Sequence, residues 1–114
     1  MKDKLIILAG DGLGRGDTDL GHVILANFLR TLAQRADKPA AIVCLNAGVR
    51  LVCSGTEAFE AQEHLRELVA QGVSVLACRT CLEHFGLVDR VVVGQIAGMA
   101  QFVEMMAEHE VIAL

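Results

Sequence analysis

The sequence predicts an α/β domain in which a mainly parallel sheet carries helices on both faces. Three observations lead there. Short apolar runs alternate along the chain with longer stretches of helical period. The main runs are almost continuously apolar, as strands buried on both faces are: Leu5-Ile6-Ile7-Leu8-Ala9, Ala40-Ala41-Ile42-Val43-Cys44-Leu45 and Val73-Ser74-Val75-Leu76-Ala77. No repeat, linker or low-complexity segment divides the 114 residues, so a single domain spanning 1–114 is expected.

The first strand, Lys4 to Ala9, ends at Gly10. The loop Gly10 to Asp17 carries four glycines at alternate positions. Asp17 or Thr18 can cap a helix from about Asp19 to Arg35, with Leu20, Val23, Ile24, Phe28, Leu32 and Ala33 on its apolar period. Lys38-Pro39 breaks that pattern before the second strand, which Asn46-Ala47-Gly48 ends. Val49 to Cys53 is ambiguous and suits a short helix. Ser54 with Glu57 three residues on matches a capping box, opening a helix to Gln71 with Ala58, Ala61, Leu65, Leu68 and Val69 inward. Gly72 stops it. The third strand then runs into a short helix that starts near Arg79 and ends at Gly86. Val91-Val92-Val93 reads as a fourth strand, Gln95 to Ala107 as the last helix, and Glu110 to Leu114 as the fifth strand.

Composition excludes several classes. Hydrophobic residues make up 54% of the chain, enough for a sizeable core. A net charge of −4 without a basic cluster argues against nucleic acid and against an acidic membrane surface. Five apolar residues after Lys4 are too few for a secretory signal. No charge-free stretch approaches the roughly 18 residues of a membrane helix. The cytoplasm is the expected location, where four cysteines serve as thiols or ligands rather than structural disulfides.

In a parallel sheet, reactive groups collect beyond the carboxyl ends of the strands. Four loops fit: Gly10–Asp17, Asn46–Gly48, Cys78–Cys81 and Gly94–Ala97. The glycine loop fails the dinucleotide fingerprint, because the third glycine falls on Arg15 or Asp17, and it lacks the Gly-Lys of a phosphate loop. It reads as a flexible connection, or as one wall of a pocket. Cys78-x-x-Cys81 is the strongest candidate. Cys78 closes a strand, and Cys81 falls in the first turn of a helix, where amide donors and the dipole favour a thiolate. Arg79 adds positive charge, and His84 follows Cys81 by three residues on one helical face. The bland alternative is that both thiols pack as small hydrophobes. A structural zinc site needs a second knuckle, which Cys44 and Cys53 do not supply, and haem attachment needs His where Leu82 stands. No cofactor is implied. A thioredoxin-like dithiol fits poorly, since the pair follows the third strand and the only proline, Pro39, precedes the second. Cys44 reads as buried and inert. Cys53 carries no assigned role. His22, His64 and His109 read as surface groups, and Met99, Met105 and Met106 as core or oligomer contact.

The motifs Gly14-Arg15-Gly16-Asp17 with Leu20-Gly21, Asn46-Ala47-Gly48-Val49, Ser54-Gly55, Cys78-x-Thr80-Cys81-Leu82 with Phe85-Gly86-Leu87, and Val93-Gly94 together resemble the DsrE-type sulfur-relay superfamily. They are most similar to the carboxyl-terminal domain of YedF-type proteins, which are sulfurtransferase-like and linked to selenium metabolism. The resemblance implies a three-layer α/β/α sandwich with a five-stranded sheet, and homo-oligomers (dimer, trimer or hexamer). It also implies a persulfide carried on the cysteine at the strand end, here Cys78, with Cys81 as second cysteine. YedF-type proteins add an amino-terminal TusA-like domain; this sequence begins at the first strand, so that domain is expected to be absent. The expected function is a sulfur or selenium carrier or transferase exchanging with a TusA-like donor or acceptor protein. Cys81 would resolve the persulfide, Arg79 and Thr80 would face the transferred atom, and Asp11 and Asn46 would line the pocket. A dithiol redox protein using Cys78–Cys81 and a non-catalytic oligomeric binding module are the alternatives.

Overall fold

The computed structural model describes residues 1–114. Its elements in chain order are β1 (Lys4–Leu8), α1 (Thr18–Gln34), β2 (Ala41–Cys44), α2 (Phe59–Ala70), β3 (Ser74–Cys78), α3 (Arg79–Phe85), β4 (Gln95–Ala97), α4 (Met99–Glu108) and β5 (Glu110–Ala113). 3₁₀ segments occupy Asn46–Val52 and Val88–Arg90. All strands are parallel, in the order β4-β3-β2-β1-β5. After their first residues, Lys4 and Ser74, β1 and β3 are apolar like β2, because both faces of these strands are covered; Leu5, Ile6, Ile42 and Val43 have no exposed surface. Each such side chain contributes roughly 2 kcal/mol of burial.

The connections from β1 to β4 step one way across the sheet. Right-handed crossovers therefore put α1 and α2 on one face, where they pack against each other. The return from β4 to β5 crosses the sheet to the far edge and carries α4 over the opposite face. Phe102 is the one α4 side chain that is fully buried there. Met105 and Met106 are half-buried against the core, whereas Met99 is exposed. No helix is long and apolar enough to cross a membrane.

Four local expectations are corrected. α1 does not bury Leu20, Val23 or Ile24, which are exposed; it buries Gly21, Leu25, Ala26, Leu29, Leu32 and Ala33. The helix is rotated because Gly21 receives the glycine loop. Leu13 N–H donates to the Gly21 carbonyl at 3.0 Å, and a Cβ on Gly21 would stand 3.1 Å from the Leu13 carbonyl oxygen. Apolar counting gives glycine no weight, yet here it marks the buried face.

Ser54 and Glu57 do not cap α2. That helix begins at Phe59 with no side-chain cap, and its Val69 is exposed. Residues 54–58 form a loop instead, because their main chain is held elsewhere. Ser54 N–H donates to Arg90 O at 2.9 Å, and Thr56 Oγ1 donates to Arg50 O.

Val91–Val93 is not the fourth strand, and the last helix does not begin at Gln95. Val91 makes one antiparallel bridge to Cys53, and the amides of Val92 and Val93 both donate to Val52 O. The chain enters the sheet only after Gly94, whose φ is +73° and whose added Cβ would lie 2.3 Å from Val75 O. Gly94–Ala97 is therefore largely strand β4, and Gly98 is the position beyond its carboxyl end.

Candidate functional site: two facing thiols beside a main-chain amide

β3 passes into α3 without a loop. Cys78 is the last residue of the strand and the N-cap of the helix, with extended φ and ψ of −67° and 121°. Cys81 is then the third helical residue. Residues three apart are neighbours across one helical turn, so one strand-to-helix junction brings the two thiols together. Leu82, fully buried, anchors α3. Gly86, left-handed at φ 68°, ends it, with its amide donating to Glu83 O and that of Leu87 to Leu82 O.

The two cysteines differ in access. Cys78 is 3% exposed, while Cys81 is half-buried. Both are free thiols. A third group joins them from the 3₁₀ segment that follows β2. Asn46 N–H donates to Cys81 Sγ at 3.1 Å. Asn46 is the only non-glycine residue with positive φ (51°), a conformation asparagine tolerates better than most. Its place is set by Leu45 N–H donating to Leu8 O and by Gly48, whose added Cβ would come within 2.2 Å of that oxygen.

The expected acidified thiol in the first turn of α3 is corrected. Burial pushes the Cys81 thiol above its ordinary range, the Asn46 amide pulls it back down, and the neighbouring Cys78 thiol raises it again. Burial also drives Cys44 up to about 12 and raises Cys53, so neither is poised to ionise. His84 is not paired with Cys81; its ring lies edge-on to Phe85, with centroids 5.1 Å apart.

Of the sequence-predicted site residues, Cys78, Cys81 and the Asn46 main chain come together. Arg79 and Thr80 are exposed at the start of α3 and make no hydrogen bond to either thiol. Asp11 pairs with His22 and makes no hydrogen bond to them. It lines a groove of about 650 Å³ with His22 (3.7 Å from Asp11), Val23, Arg50, Phe59 and Phe85. Sequence reasoning missed this groove apart from the idea that the glycine loop walls a pocket. A usable signal was the scarcity of aromatics: two of only four Phe residues sit in it. Arg50 Cζ stacks 5.0 Å over the Phe85 ring at its edge, one helical turn from Cys81. No group of three or more His, Cys, Asp or Glu side chains converges as a metal site would require.

A five-stranded parallel sheet between two helical layers, with thiols at a strand's carboxyl end, defines a three-layer α/β/α domain with a thiol site. Comparison with known proteins gives the family. The chain belongs to the DsrE/DsrF-like family, whose model matches residues 21–114. That span includes the Asn46, Ser54, Cys78–Cys81 and Val93-Gly94 motifs and leaves the glycine loop outside. The fold is shared by solved structures of low identity. A protein of unknown function from Methanobacterium thermoautotrophicum, MTH1491, is 19% identical, with a TM-score of 0.69 over 97% of each chain. The ychN protein from E. coli is 17% identical, with a TM-score of 0.69 over 100% of both chains. BT1422 from Bacteroides thetaiotaomicron, also of unknown function, is 21% identical, with a TM-score of 0.66 over 98% of this chain and 95% of its own. A comparison with curated proteins finds no match.

Proposed function

We propose that this chain is a sulfur (or selenium) carrier of the sulfur-relay kind, holding sulfane sulfur as a persulfide on Cys78. The observation that carries this reading is the apposition of two free thiols at the carboxyl end of β3, in a chain of the DsrE/DsrF-like family. A donor persulfide R–S–SH gives up its outer sulfur, the donor S–S bond breaks, and R–SH leaves as Cys78–S–SH forms. Cys81 can then attack the inner sulfur, which releases hydrosulfide and leaves a Cys78–Cys81 disulfide. The same facing geometry suits the dithiol redox reading, which shares that disulfide.

The Cys-x-Thr-Cys-Leu block supports a finer placement among YedF-type proteins. A separate TusA-like thiol protein is then the natural donor or acceptor, and the cytoplasm the natural place. The exposed Leu20, Val23 and Ile24 on α1, and Met99 and Val103 on α4, support a homo-oligomer.

Incubation with a low-molecular-weight persulfide and intact-mass measurement test the reading. Wild type is expected to gain sulfur, and the Cys78→Ser/Cys81→Ser double variant none. A wild type that gains none, or a double variant that gains as much, refutes it.

A further inference from the structure

We propose that sulfane sulfur enters at Cys81 and is handed inward to Cys78, with the Asn46 amide holding the Cys81 sulfur during both exchanges. The proposal rests on the persulfide reading above and adds an order and a positioning group to it. Three observations carry it.

The first is access. Cys78 shows 3% of its surface, and the chain on both sides of it is engaged in β3 and α3. A donor thiol carried by another molecule must bring its sulfur in line with the attacking sulfur. At Cys78 that approach is blocked by the protein itself. Cys81 keeps an open side.

The second is apposition. The N-cap and third-position arrangement sets the two thiols at one junction, close enough for Cys78 to push the Cys81 thiol upward. A sulfur atom on Cys81 therefore lies next to the group that would take it.

The third is the Asn46 amide. Its N–H meets Cys81 Sγ at 3.1 Å, and no corresponding amide donor from another segment reaches Cys78 Sγ. The amide is held there by the Leu45 N–H bond to Leu8 O and by the close approach of Gly48 to that oxygen. The donor stabilises negative charge on Cys81 when that sulfur attacks, and again when it leaves.

The two steps balance without an external oxidant or reductant. In the first, R–S–SH and Cys81–SH give R–SH and Cys81–S–SH; one S–S bond breaks and one forms. In the second, the Cys78 sulfur attacks the outer sulfur of Cys81–S–SH. The Cys81 S–S bond breaks, the proton lost by Cys78 ends on Cys81, and Cys78–S–SH remains. The stored sulfur then sits where small thiols in solution cannot strip it.

Trypsin cleavage after Arg66, Arg79 and Arg90 separates the two cysteines onto peptides Glu67–Arg79 and Thr80–Arg90. The experiment exposes folded wild type, Cys81→Ser, Cys81→Ala and Cys78→Ser to glutathione persulfide. Each is alkylated at short intervals and the sulfur mapped on each peptide. In wild type, label is expected on the Cys81 peptide first and on the Cys78 peptide later. Both Cys81 variants should load Cys78 at least about tenfold more slowly, because the direct route needs the buried sulfur. Cys78→Ser should gain label on the Cys81 peptide and hold it there. Wild-type loading of Cys78 in either Cys81 variant overturns the relay while leaving the persulfide reading intact. Absence of label on both wild-type peptides overturns both.

Discussion

Replacing Gly48 with alanine tests the framework that aims the Asn46 amide at Cys81. The new Cβ would lie 2.2 Å from the Leu8 carbonyl oxygen and 3.3 Å from that of Gly10. Ordinary nonbonded separations are roughly 3.5 Å, so the first contact is short by more than about 1 Å. Leu8 ends a central strand and its carbonyl accepts Leu45 N–H at 2.9 Å, so it has little room to move. The 3₁₀ segment Asn46–Val52 has to shift instead. Overpacking costs about 1–3 kcal/mol, and two rigid main-chain segments put this site near the upper end, about 3 kcal/mol. For a domain of this length, about 4 °C per kcal/mol gives a fall in Tm of about 12 °C. Thermal melting checks that, with Gly10→Ala as control, because a Cβ there meets nothing closer than 3.7 Å. Alkylation of Cys81 against pH gives a second readout. As Asn46 moves away, the thiol loses a hydrogen bond that lowers its pKa, so its reactivity should set in at higher pH. A Gly48→Ala protein that melts within about 2 °C of wild type refutes this account, as does a Gly10→Ala protein that falls as far.

Two further outcomes follow from other parts of the chain. Burial holds Cys44 protonated up to about pH 12 in the folded state, whereas an unfolded thiol titrates near 8.5. Its contribution is therefore intact below about pH 8.5 and is lost as pH rises toward 12, by up to about 1.4 kcal/mol per unit. Urea denaturation at several pH values should show a shallower alkaline decline for Cys44→Ala; an unchanged slope rules the linkage out. Asp17→Ala should cost about 1 kcal/mol, because Asp17 Oδ1 accepts Leu20 N–H at 2.8 Å. Ser54→Ala should stay within about 0.5 kcal/mol, since Ser54 caps no helix. The reverse ranking would restore Ser54 as the cap of α2.

The sequence by itself determined the fold class, β1 to β3 and β5, the ends of α1 and α3, and the Cys78–Cys81 pair at a strand-to-helix junction. These are readable because their causes are local. Continuous apolar runs need both faces covered, Asp17 caps the next turn, and Gly86 supplies the left-handed stop. Tertiary contacts decided the rest. Gly21 turned α1 away from its most apparent apolar stripe, because the glycine loop had to lie against it. The bonds from Ser54 to Arg90 and from Val92 to Val52 overrode a capping box and a run of three valines. The difference between the thiols is of the same kind. Spacing alone sets Cys78 and Cys81 three residues apart. Only the packed sheet buries one, leaves the other open, and brings the Asn46 amide from beyond the end of the neighbouring strand to the open sulfur.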